Sequence, residues 1–252
     1  MLTVTPALDW EWATRTGGNL TAAQRRALTF GLLRRTAPSL VLGRIRHGLG
    51  RRGAGRLDLA ELRLPDTALA RAAEVEAREQ LSDYLLAHSY RTYFFARALA
   101  ELDKVDFDDE VGYVASLLHD LKLETPTPGR CFAVVGGESA NEFALRHGAP
   151  AERAESIGAA IAAHINPDVA ANLSDPGGFV SAGASVDVLG RRLSDLDAAF
   201  VGDLLARHPR HHLKQNLIDC FEAEAAAVPD GRIHWLKGTG FLQLIKLAPF
   251  AD

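Results

Sequence analysis

The sequence predicts an all-α protein, a helical bundle carrying a helical or irregular amino-terminal extension. Three observations lead there. Apolar residues recur at i, i+3, i+4 and i+7, as at 114, 117, 118 and 121, the rhythm of a helix face turned to a core. Strand signals, meaning alternating runs of β-branched and aromatic residues, are nearly absent. Helix punctuation is present, from Thr21 and Gln24 in capping-box spacing to Gly148-Ala149-Pro150 at a helix end.

The 252 residues, 47% hydrophobic and 24% charged, are enough for a sizeable core and match an ordinary globule. No window approaches the roughly 18 apolar residues of a membrane span. The first residues lack the pattern of a signal peptide, so a cytoplasmic protein is expected. Cys131 and Cys220 stand far apart without CxxC spacing, which argues against both a disulfide framework and a zinc knuckle. The net charge of −4 hides an asymmetry: residues 1–56 carry +8, all of the cations being arginine, and the remainder −12. The arginines interleave with Leu28, Phe30, Leu32, Leu33 and Leu40. That pattern suits an amphipathic helix docking on the acidic remainder of the chain, or of a second subunit, better than a nucleic-acid-binding tail.

Residues 1–20 read as irregular, anchored by Trp10 and Trp12. A helix is predicted from Thr21 to about Arg35, and the glycine- and arginine-rich 43–56 as a mobile loop. That loop does not match a phosphate-cradling GxxxxGK[ST] sequence. Helices follow over about 66–80 and 81–103, the second with His88 on a stripe with Leu81, Leu85, Thr92, Phe95, Leu99 and Leu102. The next helix, Tyr113 to Glu124, ends in His119-Asp120. After a loop come helices near 138–147, 150–165 and 178–190, then a long one over 209–227. Residues 230–252 read as loops and short turns. The boundaries are an extension over 1–75, a helical domain over 76–228 and a tail over 229–252.

Two ionisable groups side by side at a buried helix end cost several kcal/mol each if unpaired. A cation removes that cost, because imidazole and carboxylate are both ligands of first-row metals. His88, His119, Asp120 and Asp187 each lie on or at the end of an apolar helix. Taken one by one, each also has a plain reading as a satisfied core residue.

The segments His88-Ser89-Tyr90-Arg91-Thr92, Leu117-Leu118-His119-Asp120-Leu121, Ala160-Ile161-Ala162-Ala163-His164, Ser185-Val186-Asp187-Val188-Leu189-Gly190 and His208-Pro209-Arg210 are similar, in kind and order, to the HD-domain superfamily. Within it they resemble the cyanamide hydratase branch over about residues 80–225. The resemblance implies an HD-like bundle in which His88, His119, Asp120 and Asp187 hold one divalent transition metal (Fe, Zn, Mn or Co). It places His164 near the ion, supporting the ligands or facing the substrate, and an unperturbed pKa near 6.5 makes that residue the candidate general acid/base. Lys122 stands where many relatives carry glycine, a departure that bears on the shape of the loop beside the metal. Lys122 and Asp120 join His164 as catalytic candidates, and Arg91, Arg130 and Glu138 are candidates for substrate contact. His147 reads as a helix cap, so a dinuclear centre is not expected. The implied reaction is hydration or hydrolysis of a small polar, cyanamide- or nitrile-like molecule. The alternatives are a phosphohydrolase acting on a nucleotide or other phosphomonoester and a non-catalytic module stapled by its metal.

Overall fold

The computed structural model describes residues 8–32, 37–167 and 169–251. Among these the regular elements are helices, and no strand is present. No described helix is long and apolar enough to cross a membrane.

The extension is more regular than its sequence suggests. Trp10–Thr16 forms α1, started by Asp9 accepting from Trp12 N and stopped by Gly17 at φ 63°. Trp12 is buried, with the Arg232 guanidinium 5.6 Å from its ring. Ala22–Gly31 forms α2 behind the expected Thr21–Gln24 capping box. The expected continuation over 33–35 lies outside the described residues, as do residues 1–7. The segment read as a mobile loop is in part a helix, α3, Ala37–Gly48. Each glycine costs a helix about 1 kcal/mol relative to alanine, so local propensity argues against α3. Tertiary bonds offset it: Arg44 donates to Leu244 O at 2.8 Å and reaches Leu189 O at 3.5 Å.

The core helices are α4 (Ala68–Gln80), α5 (Asp83–Asp103), α6 (Asp109–Leu118), α7 (Phe132–Arg146), α8 (Ala151–Ala163) and α9 (Pro176–Leu189). Carboxylate caps start two of them: Asp108 accepts from Val111 N for α6, and Asp175 from Gly178 N for α9. Helix α6 stops at Leu118, sooner than predicted, so His119 and Asp120 lie in the turn just beyond it. Two glycine contacts set the spacing of the bundle. A Cβ at Gly137 would press on Gly158 O, locking α7 against α8. A Cβ at Gly183 would overlap the Thr92 carbonyl, so α9 lies backbone to backbone on α5.

Three further helices were not predicted. Ala198–Arg207 is α10, capped by Asp197, and precedes the expected long helix, α11, Leu213–Ala227. The tail is no set of loops: Arg232–Gly238 and Phe241–Lys246 form α12 and α13, burying Ile233, Trp235, Leu242 and Ile245 in the common core. Their apolar spacing is helical, but each spans two turns or fewer, too short for a periodic signal to stand out.

Candidate metal centre

Four helices converge on one buried point. Helix α5 carries His88, the turn after α6 carries His119 and Asp120, the residue closing α8 is His164, and α9 carries Asp187. All five side chains are buried.

His88, His119 and Asp120 form a tight triangle. His119 Nε2 is 3.3 Å from His88 Nε2 and 3.2 Å from Asp120 Oδ2, and His88 Nε2 is 3.7 Å from that oxygen. The other nitrogen of each ring has an oxygen partner. His88 Nδ1 lies 2.7 Å from Asp187 Oδ2, and His119 Nδ1 lies 2.8 Å from Ser116 O. His164 repeats the pattern, with Nδ1 2.6 Å from Ile161 O and Nε2 3.9 Å from Asp120 Oδ1. A backbone carbonyl only accepts, so Nδ1 of His119 and of His164 is the protonated nitrogen, and the same assignment satisfies His88 against a carboxylate. The Nε2 lone pairs then all face the shared space.

These residues fit a cation on chemistry and on size. Two bare imidazole nitrogens 3.3 Å apart repel one another unless something positive lies between them. Ligand atoms about 2.1 Å from a metal lie roughly 3.0–3.4 Å apart in octahedral or tetrahedral sites, close to the sides of this triangle. The partners on Nδ1 are the outer contacts that metal-binding histidines use to fix ring and tautomer. The buried His88-His119-Asp120 group can therefore hold a metal ion.

The electrostatics agree. Burial alone would raise the Asp120 pKa, but His119, His88 and His164 hold it well below the usual carboxylate range. Burial lowers His88 despite the neighbouring Asp187 carboxylate. Burial also opposes charge on His119, yet Asp120 outweighs it and raises that pKa. Burial, with His119 beside it, pushes His164 down to about 3, so its ring stays neutral near pH 7.

Asp187 is not in the triangle, contrary to the four-ligand expectation. Its Oδ1 accepts from Arg210 Nη1 at 2.6 Å and Arg91 Nε at 3.0 Å; its Oδ2 accepts from Arg91 Nη2 at 2.8 Å and from His88 Nδ1. The carboxylate sits behind His88, held there by two buried guanidiniums. Burial would raise its pKa, but Arg91, His88 and Arg210 keep it ionised. Arg91, expected as a substrate contact, does not line the space in front of the triangle. Fully buried, it braces Asp187 and donates to His208 O and Pro209 O at 2.7 and 2.9 Å.

The remaining candidates lie elsewhere. Lys122 lines a separate cavity of about 180 Å³ with Glu76, Glu142 and Arg146. Arg130 and Glu138 pair with each other at 2.7 Å, each part-exposed. None of these three lines the space in front of the triangle.

That space is a cavity of about 600 Å³ lined by His88, His119, Asp120 and His164. Apolar side chains dominate its other walls. Leu32 and Val41 come from the extension, Leu217 and Phe221 from α11, and Leu236 and Leu244 from the last two helices. Arg191 is the one cationic side chain among the described residues lining it. Sequence reasoning missed the walls from the extension and the tail, and it missed Arg210 as a partner of Asp187. The position of Arg210 beside the His208-Pro209 pair was the one available signal for the latter. No protein-family model matches the chain, and no curated protein matches it.

Proposed function

We propose that the chain is a metal-dependent hydratase or hydrolase of the HD-superfamily type, acting with water on a substrate bound in the 600 Å³ cavity. The observation that supports this reading best is the convergence of two Nε2 lone pairs and one carboxylate at a buried point that opens on that cavity. His88, His119 and Asp120 would hold one divalent cation. Such a cation supplies Lewis acidity and lowers the pKa of water from about 15.7 towards 7.

The chain's own residues do the rest. Asp187, fixed by Arg91 and Arg210, holds His88 with Nε2 forward. Ser116 O does the same for His119. His164 lies at the edge of the triangle, neutral, with Nε2 free to take a proton from water and return it to the substrate atom that must be protonated. The apolar walls exclude bulk water from that exchange.

A panel of nitriles, amides, esters and phosphomonoesters, assayed with Zn, Mn, Fe and Co, tests the reading. Metal-dependent turnover of a nitrile, amide or ester, abolished by His119→Ala and reduced at least a hundredfold by His164→Gln with metal content unchanged, is the expected result. Phosphate release alone would favour the phosphohydrolase alternative. Metal binding without any turnover would favour a metal-stapled module.

A further inference from the structure

The geometry points to a substrate class: a mid-sized, largely apolar molecule carrying one small polar head, with its apolar body in the cavity and its head at the His88-His119-Asp120 centre. This rests on the metal-dependent reading for what happens to the head, but the observations behind the body are independent of it. A volume of about 600 Å³ falls within the roughly 300–1,000 Å³ of clefts that enclose drug-sized ligands. A molecule of three heavy atoms, the size of cyanamide, would leave most of that space to solvent. The walls are poorly suited to hold water, which needs two to four polar partners at each position.

The lining decides the chemistry. Leu32, Val41, Leu217, Phe221, Leu236 and Leu244 belong to five separate segments of the chain, and all face one space. Two segments, the extension and the tail, are outside the core helices that build the metal centre, so their contribution is to the cavity rather than to the ligands. The titratable groups on the lining are the His88, His119, Asp120 and His164 cluster and Arg191. The first four sit together in one cluster, as suits a ligand that is polar at one end. Arg91 and Arg210 are committed to Asp187, and the buried Arg232 donates to Ala162 O and Asn166 Oδ1, so none of the three lines the cavity to serve a phosphate chain. A nucleotide would have to bury several anionic oxygens against leucine and phenylalanine.

The test is a displacement titration. N-phenyl-1-naphthylamine, an apolar dye that brightens on burial, is displaced by straight-chain primary amides from butanamide to decanamide. The 252-residue chain is used twice, once after chelation and once loaded with zinc. Each added methylene should tighten binding about fourfold, the equivalent of about 0.8 kcal/mol, until the cavity is full. Ala184→Trp and Leu244→Trp each drive an indole into the cavity from a different wall, and should weaken decanamide at least tenfold with zinc content and circular dichroism unchanged. Affinity independent of chain length, or no displacement of the dye from the wild-type protein, would overturn the inference. The wild-type series decides this even if neither variant folds. Failure of the metal reading looks different: chain-length dependence persists while zinc content is zero.

Discussion

Replacing Asp187 with alanine separates two roles open to this carboxylate, that of a metal ligand and that of a brace behind one. Arg91 and Asp187 are both 0% exposed and Arg210 is 6% exposed, so removal leaves two guanidiniums buried without their counter-ion. Breaking a buried pair in this way costs about 3–5 kcal/mol. The lower end applies here, because Arg91 keeps two carbonyl acceptors and Arg210 keeps the residue-187 carbonyl at 3.1 Å. In a chain of this size each kcal/mol moves the melting temperature by roughly 2–4 °C, so the chelated variant should melt about 6–12 °C below wild type. Losing the acceptor behind His88 should weaken zinc about 10–100-fold without changing the saturating stoichiometry. Thermal unfolding in chelator and zinc titration calorimetry read the two effects separately. Asp187→Asn keeps the shape if the alanine variant does not fold. An unchanged melting temperature together with complete loss of zinc binding refutes the reasoning and returns Asp187 to the ligand set.

Other substitutions test other parts of the account. Gly183→Ala forces a methyl group onto the Thr92 carbonyl, and should destabilise the protein by about 1–3 kcal/mol or more in urea unfolding, because α5 and α9 must part. Lys122→Ala and Arg130→Ala should leave zinc content unchanged and stability within about 0.5 kcal/mol, since one lines a separate cavity and the other makes a part-exposed ion pair. His208 stacks on Tyr90, and burial with Arg91 beside it pushes its pKa down to about 4. Its folded-state pKa lies below the unfolded value of about 6.5, so its stabilising contribution is complete above that pH and is lost as pH falls towards 4. His208→Phe keeps a ring there and should reduce that acid loss by about 1–2 kcal/mol after screening, read from unfolding curves at pH 7 and 4.5.

Much of the bundle was legible because long amphipathic helices announce themselves: α5 and α11 fall close to where apolar periodicity puts them. Helix α3 was not legible, since its glycines and arginines read locally as a loop and its anchor, Arg44 on Leu244 O, is 200 residues distant. At the site, His88 and His119-Asp120 could be found because a charge on a buried face is conspicuous in any helical pattern. The role of Asp187 could not. Its position on α9 places it near His88, but only the close approach of α9 to α5 at Gly183, and arginines from α5 and from the segment before α11, decide that it meets Nδ1. Lys122 misled for a related reason: α6 ends at Leu118, and the turn that follows carries Lys122 to a different cavity two residues after Asp120. The size of the main cavity depends on α12 and α13, too short to be read from periodicity.

The central claim is a single cation held by His88, His119 and Asp120, with His164 and Asp187 supporting the site from outside the triangle. Elemental analysis of the purified protein after equilibration with zinc tests it most directly, alongside His119→Ala, His164→Gln and Asp187→Asn. The account expects one zinc per chain in the wild type, in His164→Gln and, at saturating zinc, in Asp187→Asn, with none in His119→Ala. Two metals per chain, or full zinc content in His119→Ala, would contradict it.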